Sequence, residues 1–392
     1  MRRVMYVGHT AKLSGGEIAL TRLLAALRGE VDPLVVLGED GPLVTRLEVE
    51  GIEVVVLPLP ETTREMRKER LLTPFAALSR VLGVLGYAHR LRRLIRQRGV
   101  KVVHTNTLKA GFYGCLAARL AGVPSVWHVR DRVAEDYLPR LGVLVTRLAL
   151  TFLPHRIICI SRATAETVDH GVLARRRRRI LVAPIYDVLE PPATQPACLE
   201  RLDGADFRIG MVGRLSPWKG QDVVVRALAS LRFPARLVLV GTAMFGEDEY
   251  VRHLHRLTEE LAVTDRVEFR GFVDDVLHVV REFDVLVHAS ILPEPFGQVV
   301  VEGMAAGVPV VASRAGGPGE IVTDGVDGLL YEAGDVLELG ERLSTLDGDP
   351  ALARRLVRNG LTRTKDFTPA AVTPKVLAVY DDLMAQEDSG TA

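Results

Sequence analysis

A chain of 392 residues, of which 48% are hydrophobic and 25% charged, can bury the cores of two domains, which excludes a disordered chain. Its longest apolar stretch, Leu141–Ile160, is interrupted by Arg147 and Arg156, so we do not expect an integral membrane protein. The three cysteines lack metal-ligand spacing, which favours a reduced, cytoplasmic protein.

The net charge of +1 hides an asymmetry between the two halves. Residues 1–190 contain 30 Lys and Arg against 18 Asp and Glu, and the second half has the opposite excess. This division indicates two domains with different electrostatic tasks. The basic half is suited to an anionic partner, such as a phosphorylated acceptor or a lipid headgroup surface; solvated Arg-rich helices are the alternative.

Short apolar, β-branched runs alternate with helical patterns along the chain, which predicts parallel sheets with helical crossovers. In the first half these runs are Val4–Val7, Leu34–Leu37, Val54–Leu57, Val100–His104, Ser125–His128, Arg156–Ile160 and Ile180–Val182. After a Pro- and Ala-rich break at 190–197 they are Arg208–Val212, Arg236–Val240, Val267–Phe269, Val285–His288, Val308–Ala312 and Gly328–Leu330.

The predicted organisation is α/β, with two Rossmann-like, doubly wound lobes at 1–189 and 190–369 and a final helix and tail at 370–392. Ligands of such sheets bind at the carboxyl ends of the strands, here in the cleft that we expect between the lobes.

The first loop contains paired glycines, Gly15 and Gly16, where a helix begins. Their backbone N–H groups can approach a phosphate or a sugar without an intervening side chain, although such loops are also common connectors. The loop is not G-x-G-x-x-G, which disfavours a nicotinamide dehydrogenase. Glu39 and Asp40 follow the second strand, where a ribose-binding acid would lie, so that alternative stays open.

Polar residues follow two further strands of the first lobe. His128 ends one strand and is followed by Arg130 and Asp131, so we expect His128 to contact a sugar hydroxyl or the reaction centre rather than serve only the fold. Thr105, Asn106 and Lys109 follow the preceding strand and line the acceptor side in this interpretation; turn capping is the alternative.

Two basic segments require separate interpretations. The run Arg175–Arg179 lacks interleaved aromatic residues, so we interpret it as a solvated loop and expect no nucleic-acid partner. In Arg64–Arg98, an apolar helical pattern precedes a cluster of arginines. This segment is either a peripheral membrane helix or a helix with one face in the core and a basic outer side.

The second lobe contains a dibasic loop. Arg214 and Lys219 lie between a strand and a helix, flanked by Gly213 and Gly220. A guanidinium can contact two phosphate oxygens at once, and an ammonium adds a point charge beside a leaving group. The loop therefore predicts a diphosphate site that requires no metal ion.

A pair of acids follows in the same lobe. Glu294 precedes a Pro-Phe-Gly turn, where its carboxylate can accept hydrogen bonds from sugar hydroxyls. Phe296, Gly297 and Gln298 begin the next helix and present unpaired N–H groups to sugar and phosphate. Glu302 lies one turn further, suited to two ribose hydroxyls. Acids beside such a turn can also merely cap the helix, but their combination with the dibasic loop favours a nucleotide-sugar site.

The chain resembles the family-4 retaining glycosyltransferases of the GT-B fold over nearly its whole length. The motifs that carry the resemblance are Gly15-Gly16-Glu17, Gly213-Arg214 with Lys219-Gly220, Glu294-Pro-Phe-Gly297 with Glu302, and Gly303–Val311 with Gly316-Gly317 and Glu320. The resemblance implies two lobes that face a central cleft, with the C-terminal helix packing back toward the N-terminal lobe.

The resemblance also implies residue roles. Arg214 and Lys219 would hold the donor diphosphate, Glu302 the ribose, and the backbone near Phe272 and Val273 the base. The transferred sugar would contact Glu294, the backbone of Phe296 and Gly297, and, through its 6-hydroxyl, His128. The chain departs from the family at Gly303, where Ala is usual, and at Ile185-Tyr-Asp187, where Asn-Gly-Val/Ile-Asp is usual.

The implied activity is transfer of a sugar from a nucleoside diphosphate, UDP or GDP, to a hydroxyl acceptor, with retention at the anomeric carbon, as in polysaccharide or glycoconjugate biosynthesis. The expected catalytic side chains are His128, Arg214, Lys219 and Glu294, and we expect neither a cofactor nor a metal ion. The acceptor is lipid-linked, a glycan or a small natural product. The basic lobe favours peripheral contact with an anionic inner membrane face. A nucleotide-sugar epimerase and a binding-only relative are the further alternatives.

Overall fold

The computed structural model describes residues 1–60, 74–169, 182–189, 206–244 and 246–389. The chain forms two compact units, the first made of Met1–Val188 and Pro369–Ala392 and the second of Leu189–Thr368. No helix among the described residues is long and apolar enough to cross a membrane. The Arg175–Arg179 run, the break at 190–197 and residues 64–73 lie outside the described ranges.

The first unit is built on a seven-stranded parallel sheet of order β3-β2-β1-β4-β5-β6-β7. Its strands are Arg2–Gly8 (β1), Val31–Leu37 (β2), Glu53–Val56 (β3), Val102–Thr105 (β4), Ser125–Val129 (β5), Arg156–Cys159 (β6) and Val182–Pro184 (β7). Because β1 lies between β2 and β4, the strand order reverses at β1 and β4, and the loops after these strands leave the same edge of the sheet.

Helices cover both faces of this sheet. They are Gly15–Ala26 (α1), Pro42–Val49 (α2), Pro74–Gln97 (α3), Leu108–Ala121 (α4), Arg140–Phe152 (α5) and Arg162–Val168 (α6). On α3 the side chains of Tyr87 and Leu91 are buried, whereas Val81, Leu82 and Leu85 are about half exposed. The carboxyl-terminal half of α3 therefore has one face in the core, as one of the two interpretations of the segment expected, whereas Val81, Leu82 and Leu85 do not face the core.

The second unit contains a six-stranded parallel sheet of order β10-β9-β8-β11-β12-β13. Its strands are Phe207–Val212 (β8), Ala235–Val240 (β9), Val267–Gly271 (β10), Val285–His288 (β11), Val310–Ser313 (β12) and Leu329–Tyr331 (β13). Its helices are Gln221–Ser230 (α7), Asp248–Glu260 (α8), Val276–Val280 (α9), Gln298–Ala306 (α10), Pro318–Ile321 (α11), Val336–Gly348 (α12) and Pro350–Arg363 (α13).

The last helix, Pro369–Ser389 (α14), belongs to the first unit. Its Val372, Val376 and Tyr380 are buried in the same cluster as Val4 and Tyr6 of β1. The burial of these side chains out of water stabilises the docked helix. The predicted two-lobed α/β fold with a returning C-terminal helix is therefore confirmed, although the helix is longer than the sequence pattern indicates.

Candidate active site

The dibasic loop lies directly against the segment that follows β11. Gly220, at the start of α7, has a φ of 73°, and a Cβ there would lie 2.2 Å from the backbone oxygen of Ala289. Only glycine combines this backbone conformation with so close an approach. The contact brings the loop that carries Lys219 to the carboxyl end of a neighbouring strand.

Lys219 and Glu294 form a mostly buried ion pair at this position. The Nζ atom of Lys219 lies 2.8 Å from each carboxylate oxygen of Glu294. The Nε2 atom of His288 lies 2.6 Å from Glu294 Oε2, and the Ser290 hydroxyl donates to the same oxygen at 2.7 Å. Oε2 therefore has three partners, and Oε1 is the better placed of the two oxygens to accept from a ligand.

These partners keep the Glu294 carboxyl ionised. Burial alone would raise its pKa, but the charges of Lys219 and His288 and their hydrogen bonds outweigh burial and hold the pKa of Glu294 well below its usual range. A negative charge thus stays beside the Lys219 ammonium.

His288 is itself held by the neighbouring strand. The Ser313 hydroxyl, at the end of β12, lies 3.2 Å from His288 Nδ1 and donates to the backbone oxygen of Ser290 at 2.9 Å. His288, Ser290 and Ser313 therefore form a buried support beneath the carboxylate.

Glycines allow the turn after Glu294 to pack closely. The backbone N–H of Gly317 donates to the backbone oxygen of Glu294 at 2.8 Å. A Cβ on Gly316 would lie 2.3 Å from that same oxygen. Gly297 has a φ of 99° and begins α10, and no side chain among the described residues caps this helix end. The first N–H groups of α10 are therefore suited to an anionic or hydroxylated ligand.

Glu302 lies on α10 one turn after Gln298. It is 8% exposed, and Gln298 Nε2 donates to its Oε1 at 2.9 Å. The amide orients the carboxylate on the same helix whose amino end begins at Gly297. The structure thus places Glu294, Gly297, Gln298 and Glu302 along one short turn and helix.

Arg214 has a different partner from Lys219. Its Nε lies 3.1 Å from Oε2 of Glu247, the residue that precedes α8. The guanidinium also lies 5.8 Å from the centre of the Trp218 ring, and the Lys219 ammonium lies 4.4 Å from the same ring. Each cation of the loop is thus paired with an acid and adjoins one indole.

The predicted base-contacting segment follows β10. Phe272 is 72% exposed, whereas Val273 packs against the apolar cluster under the sheet. Phe296, after Glu294, is buried and its ring centre lies 5.8 Å from that of Phe367. The resemblance implied contacts to the base through the backbone of this segment; the exposed ring of Phe272 additionally offers a flat surface to a planar ligand.

The first unit gathers a second polar cluster at its strand ends. Asn106 Nδ2 donates to the backbone oxygen of Gly16 at 3.0 Å, and Arg130 Nε donates to Asn106 Oδ1 at 2.9 Å. Arg130 also pairs with Asp187, and its Nη2 is buried without a hydrogen-bond partner among the described residues. Gly15 adjoins this cluster at the start of α1.

His128, at the end of β5, is 3% exposed. Its Nδ1 lies 3.0 Å from Nε2 of His104. Its own Nε2 is buried without a hydrogen-bond partner among the residues that the structure describes. Burial, followed by the charge of Arg130, lowers the pKa of His128 well below its usual value, so the ring is neutral.

The other acceptor-side candidates have separate environments. The hydroxyl of Thr105 is buried and donates to the backbone oxygen of Val126 at 3.4 Å, apart from the Asn106 cluster. Burial lowers the pKa of Lys109, an effect that nearby Glu39 opposes. Asp131 accepts a hydrogen bond from the hydroxyl of Tyr137 at 2.6 Å.

One of the two departures from the family pattern, Gly303, has a structural explanation. A Cβ on Gly303 would lie 2.5 Å from a methyl group of Leu286, so glycine lets α10 lie close to β11. In the Ile185-Tyr-Asp187 segment, Asp187 pairs with Arg130. This segment therefore stabilises the polar cluster of the first unit.

Sequence reasoning missed three residues that hold the predicted ones. His288 and Ser290 contact Glu294, and Glu247 contacts Arg214. His288 ends the strand before Glu294 and Ser290 follows two residues later, and this position was the available signal. Nothing in the sequence marks Glu247. Across the described ranges, no group of three His, Cys, Asp or Glu side chains is arranged to hold a metal ion.

Two family models match the chain. Residues 200–363 match glycosyl transferases group 1, and residues 14–185 match the glycosyl transferase 4-like domain. The chain is 35% identical over 307 residues to a D-inositol 3-phosphate glycosyltransferase of Acidothermus cellulolyticus, covering 73% of this chain and 68% of the relative. It is 30% identical over 249 residues to the lipopolysaccharide core biosynthesis glycosyltransferase LpsE of Rhizobium meliloti, covering 61% of this chain and 68% of LpsE.

Among solved structures, the chain is similar to Anabaena HepE in complex with UDP-glucose. The TM-score is 0.80 and the identity 26%, with 97% of this chain and 100% of HepE covered. A sucrose-phosphate synthase from Thermosynechococcus elongatus has the same fold, with a TM-score of 0.80 and 21% identity. The match covers 98% of this chain and 100% of the synthase.

Proposed function

Because the chain belongs to the group 1 glycosyl transferases, retaining family-4 enzymes of the GT-B fold, we propose that it transfers a hexose from a UDP-sugar without a metal ion. That the chain is a nucleotide-sugar glycosyltransferase follows from the family models and relatives, which do not favour the epimerase alternative. The proposal adds the base, the metal independence and the residue roles. UDP is preferred to GDP because HepE binds UDP-glucose.

The observation that carries the proposal is the Lys219–Glu294 pair. An ammonium has three hydrogens. Two of them are directed at the carboxylate oxygens of Glu294, which leaves the third for an oxygen of the departing diphosphate. Glu294 thus fixes Lys219, and its Oε1 accepts from a hydroxyl of the transferred sugar. A positioned cation that meets developing charge lowers the barrier without reorganisation.

Arg214 supplies the second cation on the diphosphate. Its present partner, Glu247, is partly exposed, so in the proposal the guanidinium exchanges that carboxylate for phosphate oxygens. Glu302 binds the ribose hydroxyls, with Gln298 orienting its carboxylate. Phe272 and Val273 lie beside the uracil base. Two cations perform the neutralisation that a metal ion performs elsewhere.

The reaction proceeds on one face of the sugar. The bond between the anomeric carbon and the β-phosphate oxygen breaks, and the acceptor oxygen bonds to that carbon from the same side. The acceptor proton moves to the departing phosphate oxygen. Glu294 is a poor nucleophile here because Lys219, His288 and Ser290 all contact its carboxylate.

The first unit binds the acceptor and one sugar hydroxyl. His128 contacts the 6-hydroxyl of the donor sugar through Nε2, which has no hydrogen-bond partner in the described part of the chain. Asn106, Lys109, Arg130 and Asp131 face the acceptor. The buried Nη2 of Arg130, which lacks a hydrogen-bond partner within the described ranges, favours an anionic acceptor, and one relative is named for D-inositol 3-phosphate.

The first unit also contacts an anionic membrane surface, at the cytoplasmic face. Helix α5 has no acidic residue, and one side of it exposes five large apolar side chains: Leu141, Leu144, Val145, Leu148 and Phe152. An apolar stripe on a basic helix is typical of interfacial binding. Val81, Leu82 and Leu85 of α3 are exposed as well.

Co-sedimentation with vesicles tests this contact. We expect binding to phosphatidylglycerol vesicles at low salt, and its loss when Leu144→Glu and Leu148→Glu are combined. Val49→Glu is the matched control, because Val49 is an isolated apolar residue that is 83% exposed. The absence of binding at low salt would contradict the membrane contact.

The proposed activity is tested by incubating the protein with UDP-glucose, UDP-galactose or GDP-mannose and with D-inositol 3-phosphate as the acceptor, in excess EDTA. We expect UDP release from one UDP-sugar, with NMR showing that the product keeps the anomeric configuration of the donor. An inverted product, or release only from GDP-mannose, would contradict the proposal.

A further inference from the structure

Four buried side chains of the first unit form a continuous hydrogen-bonded chain. His128 Nδ1 lies 3.0 Å from His104 Nε2, and His104 Nδ1 lies 2.7 Å from the hydroxyl of Tyr380. The Tyr380 hydroxyl lies 3.1 Å from that of Tyr6. The residues come from β5, β4, α14 and β1, so the returning C-terminal helix supplies one link.

Each of the four groups carries one hydrogen that it can donate. Burial lowers the pKa of His104 to about 3, and burial lowers that of His128 as well, so both rings are neutral. Burial raises the pKa of both tyrosines, so both phenols keep their protons. Each of the three contacts uses one hydrogen, so one of the four hydrogens is not used. When all three bonds run in the same direction, that hydrogen lies at one end of the chain, on Tyr6 or on His128.

The geometry favours donation from Tyr6 toward His128. The 2.7 Å separation between Tyr380 and His104 is typical of an O–H donor and shorter than most contacts made by an N–H donor. Either direction leaves one hydrogen without an acceptor among the described residues. Donation toward His128 places that hydrogen on Nε2 at the carboxyl end of β5, the edge at which ligands of parallel sheets bind, whereas donation toward Tyr6 places it inside the core. With Tyr380 donating to His104 Nδ1, the His104 hydrogen must be on Nε2 and points at His128 Nδ1. The remaining hydrogen is then on His128 Nε2.

We propose that His104 and Tyr380 are positioning residues that hold His128 as the Nε2–H tautomer, so that His128 donates a hydrogen bond to an oxygen of its ligand. The identity of that ligand as the donor sugar rests on the proposed function; the tautomer does not. In the sugar complex, His128 requires an oxygen that accepts at this position, such as a hydroxyl or a carboxylate.

The ligand-free, full-length protein labelled with ¹⁵N-histidine provides the first test. NMR spectra that correlate ring nitrogens with carbon-bound ring protons distinguish the two tautomers, and His104→Gln and His128→Gln assign the signals. We expect both rings to be protonated at Nε2, with a coupling across the hydrogen bond from His104 Nε2 to His128 Nδ1. A proton on Nδ1 of either ring would overturn the inference, whether or not the protein turns over any sugar.

Tyr380→Phe and Tyr6→Phe form a matched pair, since each removes one buried hydroxyl. Tyr380→Phe removes the donor to His104, so we expect a mixture of His128 tautomers. Tyr6→Phe leaves that donor in place, so the tautomer should be unchanged. An unchanged tautomer in a folded Tyr380→Phe protein would contradict the positioning role, and the wild-type spectrum decides the direction of donation even if a variant fails to fold.

A kinetic comparison separates this inference from the proposed function. With a UDP-hexose that the wild type uses, we expect Tyr380→Phe to lower kcat/KM by about threefold to tenfold, the range of one hydrogen bond. The kcat/KM of Tyr6→Phe should remain within about twofold of the wild-type value. Equal losses in the two variants would indicate a packing effect and contradict the tautomer role. Absence of turnover in the wild type would instead count against the proposed function alone.

Discussion

The ammonium of Lys219 contacts both carboxylate oxygens of Glu294, each at 2.8 Å, although the two residues are 75 positions apart in the chain. The pair is mostly buried, and His288 and Ser290 hold its acid. It joins the dibasic loop to the turn that precedes α10, the two motifs that we assign to the diphosphate and to the sugar.

Lys219→Ala should lower kcat by about 10²- to 10³-fold, because it removes a cation positioned for charge that develops in the transition state. Steady-state kinetics with the preferred UDP-sugar measure this loss. Arg236→Ala is the matched control, since that arginine is an exposed ion-pair residue at the amino end of β9. If Lys219→Ala turns over at a near-normal rate, as the Arg236→Ala control is expected to do, the diphosphate is held elsewhere.

The Glu294 carboxylate should make the free energy of unfolding depend on pH in the acidic range. Because its folded-state pKa lies below the unfolded value of about 4.3, its stabilisation is present above that pH and is lost as pH falls through the folded pKa. In urea unfolding, the free energy of unfolding of the wild type should therefore be well above that of Glu294→Gln at pH 7. The difference between the two proteins should shrink as the pH falls toward 3. A difference that stays constant with pH would contradict the assigned environment.

Glu302→Gln should weaken binding of UDP and leave folding unchanged, since the amide cannot accept from two ribose hydroxyls as a carboxylate does. Isothermal titration at neutral pH measures the affinity. Glu259→Gln, on the exposed side of α8, is the control. If Glu302→Gln binds UDP as wild type does, the carboxylate does not hold the ribose.

Two glycine substitutions in the second unit should have opposite signs. Gly297→Ala places a Cβ 2.8 Å from Pro318 at a φ of 99°, so we expect a loss of about 1–3 kcal/mol in unfolding free energy. Gly348→Ala meets no atom within 4 Å at the end of α12, so we expect a gain of up to about 1 kcal/mol. Denaturant unfolding distinguishes them, and similar values for the two variants would contradict the close packing at Gly297.

Activity should persist in excess EDTA, because Arg214 and Lys219 supply the positive charge. The comparison is turnover before and after EDTA treatment and after return of Mg²⁺ or Mn²⁺. Loss of activity with chelator, restored by either ion, would mean that a metal shares the diphosphate.

The sequence predicted the fold well because buried parallel strands are short runs of Val, Ile and Leu between helices. It indicated Lys219 and Glu294 as donor-site residues but not their contact, which depends on how Gly220 packs against Ala289. Similarly, the contact between His104 and His128 depends on the pairing of β4 with β5, and that with Tyr380 on the return of α14. Such contacts between distant segments leave no local pattern in a single sequence.

The most direct test of the central claim is a thermal-shift panel with UDP, GDP, ADP, dTDP and NAD in excess EDTA, using wild type and Lys219→Ala. A ligand at 100 times its Kd adds about 2.7 kcal/mol to the folded state, which raises Tm by degrees. We predict that UDP stabilises the wild type without metal and that Lys219→Ala responds less. Stabilisation by NAD alone, or by UDP equally in both proteins, would contradict a diphosphate site built around Lys219.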